Sequence, residues 1–165
     1  MNSKPSKLNA ARYFLDIRDG YTLASDNEAY GRMIERIKAV AQEPVNVMLV
    51  GNPGSGKELV AEAIHKLSMN KGSFLKVNCA ALPGTLLESE LFGHVKGAFT
   101  GAHKSRKGTF ASANDGTLFL DELCHLEYEQ QAKLLRVVEY GEYTPVGADK
   151  TERTNARLIV AVNVD

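Results

Sequence analysis

The chain has 165 residues, enough for one domain with a sizeable core and short for two. Twenty basic residues balance twenty acidic ones, so no whole-molecule field draws it to nucleic acid or to an anionic membrane. Hydrophobic residues make up 44% of it, as in ordinary globular proteins, and no apolar run approaches the roughly 18 residues that a membrane span needs.

The opening stretch "MNSKPSKLNA" lacks the apolar segment of a secretory signal, which predicts a cytoplasmic address. Residues 1–24 have scattered charge and weak periodicity, and read as a lead-in arm that packs only in part. Ser25 and Glu28 have the spacing of a capping box. Met33, Ile34, Ile37 and Val40 follow at helical intervals, predicting a helix to about Gln42 before Pro44 stops it. Residues 45–50 are almost continuously apolar, as expected of a strand buried on both faces. A helix is expected from Lys57 through Leu59, Val60, Ala63, Ile64 and Leu67. Strands are predicted over 74–77, 117–120 and 158–162, and a short helix over 86–91. Residues 128–140 predict a helix with Leu134, Leu135 and Val138 on its apolar side. Helices alternating with short apolar strands predict an α/β fold, a parallel sheet covered by helices.

Cys79 and Cys124 each sit beside apolar residues, and neither has a second cysteine at metal-ligand spacing. Both read as buried thiols in a reducing compartment. His65, His94 and His125 have no partner at ligand or catalytic spacing and are assigned no chemistry.

"GNPGSGKE", residues 51–58, has the glycine and lysine spacing of a phosphate-binding loop, with Glu58 where the general pattern has the Ser or Thr that ligates Mg²⁺. A predicted strand feeds the loop and a predicted helix leaves it, which is the context its mechanism requires. Gly54 and Gly56 let successive backbone N–H groups converge on phosphate oxygens, the positive end of the following helix adds its dipole, and Lys57 reaches the β- and γ-phosphates. Gly51, Asn52, Pro53, Gly54, Ser55, Gly56, Lys57 and Glu58 are therefore the candidate nucleotide-binding residues. "TLFLDE" places Asp121 and Glu122 at the carboxyl end of an apolar strand, on the same edge of the sheet as that loop. Asp121 suits Mg²⁺ and Glu122 suits orienting or deprotonating the attacking water. A small-molecule kinase would explain residues 51–57 but leaves the stretch between the loop and the acidic pair without a role.

That stretch, "NCAALPGTLLESELFGHVKGAFTGAHKSRKGTF" over 78–110, strongly resembles the central AAA+ ATPase domain of bacterial enhancer-binding proteins, the sigma-54-dependent transcriptional activators. The resemblance covers about 21–165, leaving 1–20 as an arm, and its most specific element is "GAFTGA". It implies a P-loop NTPase fold, ATP and Mg²⁺ as ligands, assembly as a homo-oligomeric ring, and hydrolysis coupled to remodelling of the sigma-54 RNA polymerase holoenzyme. Gly97, Ala98, Phe99, Thr100, Gly101 and Ala102 are, by the resemblance, the surface loop that engages sigma-54, with Phe99 and Thr100 as its main side-chain handles. The resemblance also accounts for Glu58, since the family carries Glu after the loop lysine. Asn78 is implied to be the switch that hydrogen-bonds Glu122, and Asn163, in "AVN", the sensor of the γ-phosphate or attacking water. With Asp121 and Glu122 these complete the candidate catalytic set.

The chain departs from the family pattern in several places. Val162 replaces the usual Thr before Asn163, Asn52, Pro53, Gly54 and Ser55 replace Glu-Ser-Gly-Thr, Asp115 stands where glycine is usual, and "LCHLEYEQQ" lacks a common proline. The basic run "HKSRK", 103–107, reads as a solvated loop end, with no direct DNA binding and no membrane contact assigned. The family continues past its sensor Asn into arginine fingers, a fifth strand and a helical lid. The expectation at this stage is thus an incomplete ATPase domain without a lid, its 45–50 strand left as an apolar sheet edge, and weak ATP turnover by itself. The rival expectation is a nonenzymatic remnant that binds nucleotide or joins rings of longer relatives.

Overall fold

The computed structural model describes residues 11–18, 21–70 and 72–164. They fall into two compact units, one within Met1–Pro44 and Leu59–Met69, the other within Val45–Glu58 and Asn70–Asp165.

In the first unit, β1 (Tyr13–Arg18) and β2 (Tyr21–Ser25) pair antiparallel, with Leu15 opposite Leu23. Leu15, Ile17 and Leu23 are buried. The expected loose arm over 1–24 is thus a strand pair from Tyr13 onward, because Leu15 and Ile17 lie two apart and share one face of the pleat. Residues 1–10, 19 and 20 of that arm lie outside the described residues. Helix α1 (Glu28–Gln42) buries Ile34, Ile37 and Ala41 along one stripe. Its cap differs from the expected Ser25–Glu28 box: Asn27 is the N-cap, its Oδ1 accepting the Ala29 N–H at 2.8 Å, and Ser25 Oγ accepts the Asn27 N–H at 3.1 Å. Gln42 Nε2 donates to the Leu67 carbonyl at 2.8 Å, joining α1 to the end of α2 (Lys57–Leu67).

The second unit runs through β3 (Val47–Val50), β4 (Phe74–Asn78), α3 (Gly84–Phe92), β5 (Gly93–His94), β6 (Arg106–Lys107), α4 (Thr109–Ser112) and β7 (Thr117–Asp121). A 3-10 turn, Leu123–His125, then leads to α5 (Tyr128–Tyr140), β8 (Glu142–Tyr143), β9 (Glu152–Arg153) and β10 (Arg157–Val162). Four strands form a parallel sheet in the order β3-β10-β7-β4. β7 and β10 are central and almost wholly buried, which is what the apolar runs "TLFL" and "RLIVA" require. β3 is an edge strand: Met48 is 61% exposed and Val50 62%, so the expectation of a strand buried on both faces is corrected. Among the described residues β3 pairs with β10 alone, which is the apolar sheet edge expected for 45–50.

On one face of the sheet, Val77, Leu118, Leu120, Leu158 and Val160 pack with α3, α4 and α5. Phe92 stacks on Phe110 at 5.5 Å between ring centroids, and Tyr143 leans on both. α5 turns Leu134 and Val137 inward while Leu135 and Val138 are exposed, so its buried stripe lies one residue away from the expected one. Gln130 fixes that rotation, accepting the Glu127 N–H and donating to the Gly84 carbonyl on α3. Gly93, at φ +80° and ψ 178°, ends α3 in a conformation that is essentially confined to glycine. Asp115, where the family pattern has glycine, is left-handed at φ +58°, which explains the family's residue; here Asn114 and Asn155 hydrogen-bond its carboxylate.

Candidate nucleotide site and partner loop

Parallel strands deliver their carboxyl ends to one edge of the sheet. Val50 pairs with Val162 and Asn78 with Asp121, so the loop after β3, the acidic pair after β7, Asn78 and Asn163 all emerge on that edge. β10 lies between β3 and β7, which separates the glycine loop from Asp121 by roughly 10 Å at ordinary strand spacing.

The glycine loop is held by its own backbone. Gly51 N donates to the Val162 carbonyl at 3.3 Å, Ser55 N to the Asn52 carbonyl at 3.2 Å, and Gly54 and Gly56 take φ of +74° and +85°. Apart from the adjoining residues, no heavy atom lies within 4 Å of where a Cβ would stand at either of these two glycines, so the loop presents open backbone to a ligand. Lys57 Nζ donates to the carbonyls of Gly51 at 2.8 Å and Asn52 at 3.0 Å, and to Asn163 Oδ1 at 2.9 Å. A bond across 106 residues of sequence thus brings the loop lysine and the expected sensor together.

Glu58 is ion-paired with Lys76 of β4 at 2.6 Å. Both side chains are near half exposed, so this pair sets orientation more than stability. Asp121 Oδ1 accepts the Glu122 N–H at 2.9 Å. Glu122 itself is left-handed, φ 55° and ψ 47°, a conformation that costs a bulky residue roughly 1 kcal/mol or more. Its carboxylate lies 3.9 Å from His125 Nδ1. The expected Asn78–Glu122 bond is not formed: Asn78 Oδ1 accepts the Ala80 N–H at 2.8 Å, closing a local turn. An amide two residues from a free backbone N–H has this local alternative, which spacing cannot exclude. Oxygen donors and a lysine facing an open glycine loop suit a nucleoside polyphosphate with a hard cation.

Cys79 is buried and Cys124 exposed, so only one of the two expected buried thiols is buried. Cys124 lies on the 3-10 turn, outside the sheet. Burial, and next the nearby Asp121 carboxylate, push the Cys79 thiol from 9.0 up to about 11. At pH 8 in the native protein Cys124 is therefore expected to be alkylated and Cys79 spared, with both modified after denaturation, as peptide mass mapping would show. The sign for stability follows. The folded state keeps a proton that the unfolded chain loses above pH 9, so this contribution is complete below pH 9 and is lost as the pH rises to about 11.

Residues 97–102 fold into consecutive turns: Gly97 N donates to the Ala102 carbonyl at 2.9 Å, Ala98 N to Val95, and Ala102 N to Phe99. Thr100 is exposed and Ala102 buried. Phe99 is only half-buried, its ring edge-on to His94 at a centroid distance of 5.0 Å, so Thr100 is the exposed handle of the two expected. The basic run beyond the loop is exposed from His103 to Lys107, although Arg106 pairs with Glu90 at 2.7 Å. Sequence spacing missed His94, Lys76 and His125, whose partners are set by the β5–β6 ladder, by strand order and by the turn after β7.

Comparison with known proteins places these features. A family model, the Sigma-54 interaction domain, matches residues 23–165. A Nif-specific regulatory protein of Azotobacter vinelandii is 53% identical over 135 residues, covering 81% of this chain and 26% of that protein. The anaerobic nitric oxide reductase transcription regulator NorR of Aeromonas hydrophila subsp. hydrophila is 46% identical over 144 residues, 87% of this chain and 28% of the relative. The chain thus spans about a quarter of the length of these curated relatives. Among solved structures, NtrX from Brucella abortus in complex with ADP superposes with a TM-score of 0.79 at 32% identity, over 87% of this chain and 31% of NtrX. NtrX in complex with ATP gives 0.76, over 84% of this chain and 30% of NtrX. The parallel sheet, its glycine loop and these likenesses make the fold an α/β P-loop NTPase.

Proposed function

The chain belongs to the Sigma-54 interaction domain family, and from that premise we propose that it binds ATP with Mg²⁺ at the 51–58 loop, hydrolyses ATP, and carries nucleotide state to a contact with sigma-54 RNA polymerase holoenzyme made by residues 97–102. The observation that carries this reading is the Lys57–Asn163 bond at 2.9 Å, which joins the residues proposed to bind and to sense phosphate, at the strand ends where Asp121 also lies. NtrX, a structural relative, is described in complexes with ADP and with ATP.

In this reading Lys57 leaves its carbonyl acceptors for phosphate oxygens, and the 51–56 backbone supplies further donors. Asp121 is the residue to hold Mg²⁺; bound there, the ion supplies neutralisation of phosphate charge. Glu122 takes a proton from water as the water oxygen bonds to the γ-phosphorus and the bond to the bridging oxygen of ADP breaks. Asn163, released from Lys57, is placed to sense that phosphate, and Asn78 is the amide nearest the acidic pair along the β4–β7 ladder. Cytoplasmic action in a homo-oligomeric ring is part of the same proposal. Among the described residues no helix is long and apolar enough to cross a membrane.

The test is nucleotide-dependent capture of sigma-54 by the full-length protein, using ADP with aluminium fluoride to mimic the transition state. Thr100→Ala is expected to lower capture by at least about tenfold with ATP turnover within about twofold of the parent, because an exposed side chain at a partner surface acts through that contact. Capture at parental level by the Thr100 variant, or none by the parent, would sink the proposed contact.

A further inference from the structure

The His94 side chain joins three parts around the 97–102 loop. Its Nδ1 lies 2.7 Å from Ser89 Oγ on α3, its Nε2 lies 2.9 Å from the carbonyl of Lys104 beyond the loop, and its ring meets Phe99 inside the loop. A carbonyl only accepts, so in the neutral ring Nε2 carries the proton and Nδ1 accepts the Ser89 hydroxyl. Ser89 is 4% exposed, which makes it a support for the imidazole and keeps it from acting as a nucleophile on solvent-borne substrates.

The surroundings make His94 the adjustable member. Val95 N donates to the Val146 carbonyl and Val146 N to the Gly93 carbonyl, pinning the backbone on either side. A Cβ on Gly147 would stand 2.7 Å from that of Ala98, so the turn at 147 leaves no room for the loop to collapse downward. The loop's own bonds are short-range turns, and its side chains are mostly small. The imidazole links it to α3, through the Phe99 ring on one side and Ser89 on the other. α3 is in turn tied to α5 through Gln130 on Gly84 and Lys133 on Glu88, and it follows directly on the strand end that carries Asn78.

We propose that His94 is the positioning residue through which α3 sets the conformation of the 97–102 loop. This rests on the sigma-54 contact proposed above, and its physical content is independent of the partner: shifting α3 moves Ser89, Ser89 moves the imidazole, and the imidazole carries both Phe99 and the Lys104 carbonyl with it.

The experiment compares the full-length parent with His94→Ala, His94→Gln and Ser89→Ala. Amide hydrogen exchange is read at 97–103, sigma-54 capture with ADP and aluminium fluoride, and ATP turnover. His94→Ala is expected to speed exchange at Gly97, Ala98 and Ala102 by about tenfold or more, the loss of two side-chain hydrogen bonds. Capture should fall by a similar factor with turnover within about twofold. His94→Gln, whose amide reaches the Lys104 carbonyl, should restore part of both, which a general packing defect would not allow. Parental exchange in His94→Ala overturns the proposal, and so does faster exchange with parental capture. If His94→Ala does not fold, Ser89→Ala decides: weaker protection at 97–103 supports the assignment and parental protection overturns it. If the parent captures no sigma-54, the partner reading fails while exchange still decides the role of His94.

Discussion

Replacing Lys57 with alanine is expected to raise the ATP dissociation constant at least about a hundredfold. The ammonium makes hydrogen bonds to Gly51 O, Asn52 O and Asn163 Oδ1, all within 3.0 Å, so its stem is already directed over the loop. Exchanging these neutral acceptors for phosphate oxygens yields charge-assisted bonds worth roughly 1.5–3 kcal/mol each, and two of them correspond to about two to four orders of magnitude in affinity. Alanine removes the charge and leaves Asn163 without its partner in the loop. Titration with a fluorescent ATP analogue measures the effect. Lys57→Arg serves as the companion variant: its rigid planar fork replaces a compact ammonium among three convergent acceptors, and it is expected to bind poorly as well. Parental affinity in the alanine variant would remove residues 51–58 from the site.

Glu122→Gln is expected to separate binding from chemistry, with affinity for ATP within about threefold of the parent and the single-turnover rate down by about 10²- to 10⁴-fold, the usual contribution of a positioned general base. Glutamine matches glutamate in shape, so the left-handed backbone at φ 55° and the Glu122 N–H bond to Asp121 survive. Only the proton acceptor is lost. Phosphate release under excess enzyme is the measurement, and undiminished release would place the base elsewhere. Glu122 occupies a strained conformation in a turn where glycine or asparagine would be relaxed, and strain held in place at a strand end is characteristic of functional residues. Asp121 contributes to that hold through its Oδ1, so Asp121→Asn is a less clean variant, touching both the proposed metal ligand and the turn.

The expectations that matched the structure are those resting on local pattern. Helix α1 ends at Gln42 and α2 begins at Lys57 because a following proline and a glycine-rich loop act within a few residues of where they stand. "TLFLDE" shows its acidic pair at a strand end because apolar residues run up to it without a break. The misses have separate causes. Ser25 and Glu28 have capping-box spacing, yet Asn27 caps the helix because its amide oxygen, two residues nearer the first turn, reaches the Ala29 N–H directly. On α5 the spacing puts Leu134, Leu135 and Val138 on the apolar side; Leu134 is buried, but with Gln130 bonded to Gly84 the second buried apolar position is Val137 in place of Leu135 and Val138. Cys124 was read as buried from its apolar neighbours, though a 3-10 turn carries it to the surface.

By itself the sequence determined which chemical groups are present and in what local setting: a glycine-rich loop between strand and helix, carboxylates at a strand end, and a small-residue loop after α3. Those are properties of neighbours along the chain, legible through spacing and period. Only the tertiary structure decided that Lys57 meets Asn163 and Glu58 meets Lys76, that Asn78 turns to Ala80 instead of Glu122, and that His94 gathers Ser89, Lys104 and Phe99. Strand order and register produce these meetings, and an apolar run is equally compatible with several orders. The hydrophobic pattern says that a strand is to be covered, while the competition among all strands for the same sheet settles which neighbour covers it.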